Sequence, residues 1–344
     1  MSDLNQITNQ IFDRREAMRP SPRTWAKHAL FFLITFATVT IAGVLQPFGI
    51  LEIFPDVDPQ SWNEIYQFFL SLPARYVGLI SETIYRLYTD FGTLQYGLKF
   101  SCSLLFILTC HEFGHYIACR IYGVDATLPY FIPTPPMIGP AGTFGAFIKI
   151  VSPMPSRRAT FDIGVAGPIA GFCAIIPIAL LAFLTYTQTS PEPLTEIPPG
   201  TLIFSNPLLF KLLAPIFGVN LQATRLPNPF YFAAWIGLLV TALNLIPSGQ
   251  LDGGHAIYAI TNKKFHRWAG RIAFVVVAAT AISGWFLYSS PSGFLFAVLL
   301  GVMMRVRHPE PLDDTPLDLK RKLIAALTLL IFILSVTPFP IQIK

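Results

Sequence analysis

The sequence predicts an all-α polytopic membrane protein with about six to seven transmembrane helices, and three observations lead there. Hydrophobic residues make up 53% of the 344-residue chain and charged residues only 12%, against roughly a quarter charged in soluble domains. Several apolar runs approach the ~20 residues that span the hydrocarbon core. The 24 lysines and arginines are spread along the chain, nearly all in the connections between these runs or at their ends, so the net charge of +5 is not a nucleic-acid footprint and no nucleic-acid partner is expected.

Taken in order, the apolar runs place spans at 29–46, 97–121, 160–187, 229–249, 268–289, 292–304 and 323–338. The sixth is short and is expected to pair with the fifth as a hairpin or re-entrant element. Residues 1–28 are polar, with no small-residue cleavage site after the first run, and read as a retained cytoplasmic tail rather than a signal peptide. Residues 47–96 read as a connection with a mixed amphipathic stretch, and residues 188–228 as a proline-rich one. With the N-terminus inside, eighteen of the 24 basic residues fall on the inner side, among them Arg14, Arg15, Arg19, Arg23, Lys263 and Lys264. The positive-inside rule then fixes the N-terminus in the cytoplasm. The four cysteines (Cys102, Cys110, Cys119, Cys173) lie in apolar runs with no C-x-x-C spacing and are expected to be core residues rather than disulfides or ligands.

The second span carries the chemistry. Within Ser101–Ile121 stands His111-Glu112-Phe113-Gly114-His115, and an H-E-x-x-H on a helix sets two imidazoles one turn apart on one face, able to share a zinc ion. The glutamate between them is then held where it can take a proton from metal-bound water. Three ionisable residues at membrane depth are costly and mark function. A catalytic zinc needs a third protein ligand and an open position. Asp162 follows Arg157 and Arg158 at a span entrance and reads as an interfacial charge. Asp252 sits in Asn244-Leu-Ile-Pro247-Ser-Gly-Gln-Leu-Asp252-Gly253-Gly254-His255, where prolines and glycines break the fourth span at the depth of the histidines. Broken backbone at membrane depth is tolerated around a protein-lined cavity, so Asp252 is the expected third ligand of one zinc per chain. Asn244 either stabilises the oxyanion or braces the broken span. His255 reads as a solvated interfacial residue outside the catalytic set, and His28, His266 and His308 as cytoplasmic residues without a special role.

Gly142–Ile150, after the prolines 133, 135, 136 and 140, reads as a strand: either an ordinary loop strand or half of a small membrane-associated β-hairpin near the zinc site. In the second case its edge could pair with an unwound substrate. Ala166-Gly167-Pro168-Ile-Ala170-Gly171 opens the third span with small residues, read as close helix packing.

The two separated motifs, H-E-x-G-H in one span and N-x-x-P-x-x-x-x-D-G in another, resemble those of the site-2 proteases, zinc metalloproteases that cleave within the membrane. The resemblance covers roughly residues 97–260, and the run from Leu128 to Gly171 is similar to a branch found in cyanobacteria, chloroplasts and various bacteria. It implies His111, His115 and Asp252 as ligands, Glu112 as general base, and a transmembrane-segment substrate drawn from the lipid bilayer. Residues 188–228 are too short for the PDZ domain of many bacterial members, and nothing corresponds to the nucleotide-sensing domains of some archaeal ones. The expected organisation is a tail (1–28), a first span with its connection (29–96), the catalytic core (97–260) and C-terminal spans (261–344). The expected location is a bacterial inner membrane, with the site toward the cytoplasm. Two other classes compete: a zinc-binding scaffold, which has no use for Glu112, and a metal or proton transporter, which needs a ladder of ionisable residues that the outer halves of the spans do not offer.

Overall fold

The structure is a computed structural model that describes residues 20–51, 61–186, 202–221, 228–305 and 311–343. It is mostly helical. Four helices are long and apolar enough to cross a membrane: α1 (Pro22–Val44), α3 (Phe91–Ile121), α4 (Arg157–Leu184) and α8 (Lys263–Tyr288). Between α1 and α3 lies α2 (Trp62–Thr89), and shorter helices follow as α5 (Leu208–Ile216), α6 (Pro229–Asn244), α7 (Asp252–Ile260), α9 (Ser292–Met303) and α10 (Leu319–Ser335). Strands β1 (Tyr130–Pro133) and β2 (Thr143–Phe147) form one antiparallel hairpin, and β3 (Leu202–Phe204) pairs with β4 (Ile341–Ile343) in another.

The starts of the helices are written in the sequence. Ser21 accepts from Thr24 N ahead of Pro22, Ser156 from Ala159 N, Asn262 from Phe265 N and Asp318 from Arg321 N. Asn228 accepts from both Phe230 N and Tyr231 N, with Pro229 in the first turn, where a missing N–H costs nothing.

Several expected boundaries move. The stretch read as part of a connection contains the 28-residue helix α2; its apolar residues alternate along the chain with Glu64, Arg75, Glu82 and Arg86 on the opposite face, so no uniformly apolar run announces it. The second span begins at Phe91, capped by Asp90, rather than at 97. The fourth ends at Asn244 rather than 249, because Pro247 and Gly249 (φ +54°) turn the chain before α7 begins at Asp252. Against the expected six to seven spans, the described residues hold four helices of spanning length, with α6 and α9 as shorter apolar helices. Most of the N-terminal tail, most of the proline-rich connection and His308 lie outside the described residues.

Helices α3 and α4 form the centre. Phe100, Leu104, Leu105 and Ile107 of α3 pack with Ala174, Ile175 and Ala179 of α4 and with Ala234, Trp235 and Leu238 of α6 in one buried cluster. The two helices approach so closely at Gly114 that a Cβ there would sit 2.5 Å from the Ala166 carbonyl oxygen. Helix α1 lies against α3, with Thr40 Oγ1 donating to Ser101 Oγ at 2.9 Å. It also braces the β1–β2 hairpin: Thr38 Oγ1 donates to the Gly142 carbonyl at 2.8 Å, Phe32 meets Phe131 edge-on, and His28 Nδ1 lies 2.8 Å from the Pro129 carbonyl. His28 is therefore a buried structural residue, contrary to the reading that gave it no role.

The hairpin pairs Tyr130 with Phe147 and Phe131 with Ala146, then slips before Pro133 meets Thr143. The ladder runs on past β2, with Thr127 N donating to Lys149 O at 3.0 Å and Val151 N to Asp125 O at 2.7 Å. Since strand N–H groups alternate between edges, those of Ile148 and Ile150 point the other way. The expected strand thus exists, paired along one edge only.

Candidate metal centre

Helix α3 carries His111, Glu112 and His115 at 4%, 6% and 7% exposure. Helix α7 brings Asp252 to them as its first residue. The three side chains converge in a triangle: His111 Nε2 to His115 Nε2 is 3.2 Å, and each nitrogen is 3.3 Å from its own Asp252 carboxylate oxygen. Ligand bonds of about 2.0–2.1 Å in a tetrahedron put ligand atoms about 3.3–3.4 Å apart. The two nitrogens therefore span one edge of a zinc tetrahedron without rearrangement, and the Asp252 carboxylate, facing both, stands close enough to offer a third ligand to the same ion. His115 Nδ1 donates to the Ile163 carbonyl at 2.7 Å, which leaves the Nε2 lone pair for a metal; such a bond commonly orients metal-ligating histidines. Among the described residues this is the one group of three or more His, Cys, Asp or Glu side chains placed to hold an ion; Cys110, beside His111, is not part of it.

The small residues of α4 are more than helix packing. A Cβ at Gly167 would lie 2.1 Å from His115 Nε2, one at Gly171 3.1 Å from His111 Cβ, and one at Gly164 2.7 Å from His255 Cβ. Residues 164, 167 and 171 fall on one helix face, three or four apart. They form a floor over which three imidazoles lie, and any side chain there would occupy the centre. On the opposite side, Gly253 and Gly254 let α7 fold back on the chain: Cβ atoms there would stand 2.1 Å from Leu245 O and 2.6 Å from Gly249 O.

The triangle opens into a cavity of about 770 Å³, lined by Glu112, Ala146–Met154, Gly164, Asn244, Gln250 and His255. Asn244 Nδ2 is 3.3 Å from His111 Nε2, which puts the amide at the rim. Ile148 and Glu112 line this cavity together, so the open edge of the hairpin strand faces the residue between the two histidines. His255 lines this cavity as well, three residues after Asp252 on the same face of α7. This corrects its reading as a solvated interfacial group: the glycine pair before it turns it inward.

Asp162 is placed elsewhere, as its reading anticipated. Its carboxylate takes Arg321 Nε at 2.9 and 3.1 Å and Arg321 Nη2 at 2.6 Å, and accepts a bond from Tyr122 Oη; Arg321 Nη2 also donates to Tyr122 Oη at 2.9 Å and Nη1 to Asp318. One arginine of α10 thus ties the last residues of α3 to the first turn of α4, next to Ile163. Arg321 was missed in the sequence because nothing in its surroundings marks it apart from other basic flanks. His266 is likewise buried rather than free in a basic segment, its Nε2 3.2 Å from the Gly249 carbonyl.

The fold and site together define a membrane protein with an inward-facing H-E-x-G-H, closed by an aspartate from a second, broken segment. The model of Peptidase family M50 matches residues 99–284, more than half of the chain, and the chain belongs to that family, the family of the site-2 proteases. It is 26% identical over 344 aligned residues to the "Probable zinc metalloprotease EGY1, chloroplastic" of Arabidopsis thaliana, covering 94% of this chain and 56% of that one. It is 29% identical to the "Probable zinc metalloprotease EGY2, chloroplastic" of Oryza sativa subsp. indica, over 68% of this chain and 41% of that one. The EGY1 relative of Oryza sativa subsp. japonica is 27% identical over 95% of this chain and 53% of its own length. The chain spans about half the length of the curated relatives it matches. Because these relatives are chloroplastic, the expectation of a bacterial inner membrane is withdrawn; what stands is a membrane protein. The helices α1 and α10, outside the matched region, both pack on it.

Proposed function

We propose that this chain is an intramembrane zinc endopeptidase that hydrolyses peptide bonds in transmembrane segments of other proteins. In this reading His111, His115 and Asp252 hold one zinc ion and Glu112 is the general base and acid. The observation that carries it is the convergence of His111, His115 and Asp252 through contacts of 3.2–3.3 Å, opening on the cavity that Glu112 lines.

Zinc bound there would supply Lewis-acid chemistry, acidifying water and polarising a carbonyl. The chain's own residues do the rest. Glu112, lining the cavity beside the two histidines, takes a proton from the attacking water and delivers it to the leaving nitrogen as the C–N bond breaks. Asn244, at the rim of the triangle, donates its amide N–H to the developing oxyanion. The open edge of the strand after β2 holds the substrate extended, because a peptide bond inside a helix is shielded and already hydrogen-bonded. Helices α6, α9 and α10 complete six to seven spans with α1, α3, α4 and α8, and the basic flanks set the N-terminus and the site toward the cytoplasm.

The test is cleavage of a panel of transmembrane peptides by the purified protein and by Glu112→Gln, with zinc content measured in both. The reading expects equal zinc and a loss of about 10²–10⁴-fold in rate for the variant. Equal rates in the two proteins would overturn it.

A further inference from the structure

Helix α2 is 28 residues long, and only Thr83 among them is buried. Its sequence divides it lengthwise. Glu64, Gln67, Ser71, Arg75, Glu82 and Arg86 recur three, four or seven apart and share one face. There Arg75 Nε bonds Ser71 Oγ at 2.9 Å and Arg86 pairs with Glu82 at 2.8 Å. A second strip, Trp62, Tyr66, Phe69, Val77, Ile84 and Tyr88, runs the length of the helix at 51–91% exposure. A helix of this size is about 42 Å long, so the apolar strip is long and continuous.

The connectivity fixes where this helix can be. Thr40 of α1 bonds Ser101 of α3, and a Cβ on Gly97 of α3 would stand 3.0 Å from Thr40 O and from Val44 Cγ1. The end of α1 and the beginning of α3 therefore lie at the same membrane face. The chain turns at once after α1: Leu51 N bonds Val44 O at 2.9 Å, and Tyr96 Oη of α3 donates to Phe48 O at 2.6 Å. At the other end, the single residue Asp90 joins α2 to α3, accepting from Gly92 N and Thr93 N. Crossing the bilayer with α2 would leave only the nine residues 52–60, with Glu52, Asp56 and Asp58, to carry the chain back through ~30 Å of hydrocarbon, a distance nine residues reach only as extended chain, which lipid does not tolerate. Both ends of α2 are thus held at one surface.

We infer that α2 is an interfacial helix, lying along the membrane face at which α1 ends and α3 begins, with its apolar strip in the lipid headgroup–acyl boundary. Exposed apolar side chains stand on the neighbouring helices too, Leu30 and Leu33 on α1 and Phe91 at the start of α3. It carries tryptophan and tyrosine, whose amphipathic rings favour that level, and the charged face opposite it stays in water. The inference rests on the membrane placement of α1 and α3.

The experiment uses the full chain in phospholipid vesicles with single nitroxide labels at Glu64, Gln67, Phe69, Val77, Glu82 and Ile84, and at Leu33 in mid-α1 as a reference. Collision rates with oxygen and with a water-soluble nickel chelate give each label's depth. The expected result is a helical oscillation: labels at 69, 77 and 84 at a common depth of about 5–10 Å, those at 64, 67 and 82 in water, and the label at 33 deep. Three results overturn the inference: a depth that grows steadily from 64 to 84, all six positions open to the nickel chelate, or an apolar strip shielded from both reagents, which would place protein over it. A label at 33 that is itself in water would instead sink the membrane placement.

Discussion

The α3–α4 pair and the α8–α9 hairpin are both built from apolar helices meeting at glycine, yet they differ in everything else. Half of the most apolar stretch of α3 and of α4 is buried, against 17% for α8. The inner pair has Gly114 against helix backbone as well, but it carries Gly164, Gly167 and Gly171 under imidazoles, whereas the outer pair carries Gly293 against bare helix, where a Cβ would stand 2.6 Å from Ala281 Cα. The hairpin also reaches the rest of the chain near its ends. At one, His266 meets Gly249 O and a Cβ on Gly249 would stand 2.4 Å from Met303 O; at the other, Ser290 Oγ donates to Ile341 O. A glycine in an apolar helix therefore has two meanings, and what lies opposite it decides which: an imidazole of the centre or merely a neighbouring helix.

The sharpest way to break this contrast is one substitution made twice. Gly167→Val pushes a side chain into His115 Nε2 and is expected to abolish zinc loading, measured by metal analysis of the purified protein. Gly293→Val should part α8 from α9 and lower the melting temperature while leaving zinc content unchanged. If both lose zinc equally, the distinction between the pairs fails.

Next in size is the strand edge. Ile150→Pro removes an N–H that faces the cavity without touching the ladder bonds of Lys149 and Val151. One lost substrate hydrogen bond, worth about 0.5–1.5 kcal/mol, should raise KM by about two- to tenfold with kcat little changed. An unaltered KM would argue against strand addition.

Arg321→Ala loosens the clamp on Asp162 and Tyr122, beside the Ile163 carbonyl that orients His115. Loss of partners around a ligand costs about 10–100-fold in metal affinity; acting one residue further out, this change should sit at the lower end, about tenfold, in a competition titration with a chromophoric chelator. Arg321→Lys should recover part of it.

The smallest effect is one of pH. Thr93 Oγ1, then the backbone N–H groups of Thr93 and Gly92, hold the Asp90 carboxyl below its ordinary value. A carboxylate depressed in the folded state contributes stability that is complete above its unfolded pKa of ~3.9 and is lost as pH falls through the lower folded one. Amide exchange at Gly92 and Thr93, corrected for its intrinsic pH dependence, should accelerate below about pH 4 and should show no such step in Asp90→Asn.

Much of the centre was legible because its signals are local. His111, Glu112 and His115 are fixed by helical periodicity, and Asp252 stands out as a carboxylate between helix breakers at the end of an apolar run. The spans were found by their length, and their ends were misjudged by a few residues wherever capping rather than hydropathy sets the start, as at Asp90 and Asn262. Helix α2 was passed over because an amphipathic helix averages out in a search for apolar runs. The roles of Gly167, Gly171, His255 and Arg321 depend on which helix lies opposite, and a partner 48 to 199 positions away in the chain leaves no mark on the sequence around it.

The most direct test of the account is the coordination of zinc itself. X-ray absorption of the purified protein, with metal content measured for the wild type and for Asp252→Ala, should find one zinc per chain bound by two imidazoles and a carboxylate. Asp252→Ala should lose the carboxylate and most of the affinity. A sulfur ligand in the first shell, or full zinc retention by Asp252→Ala, would contradict the assignment of His111, His115 and Asp252.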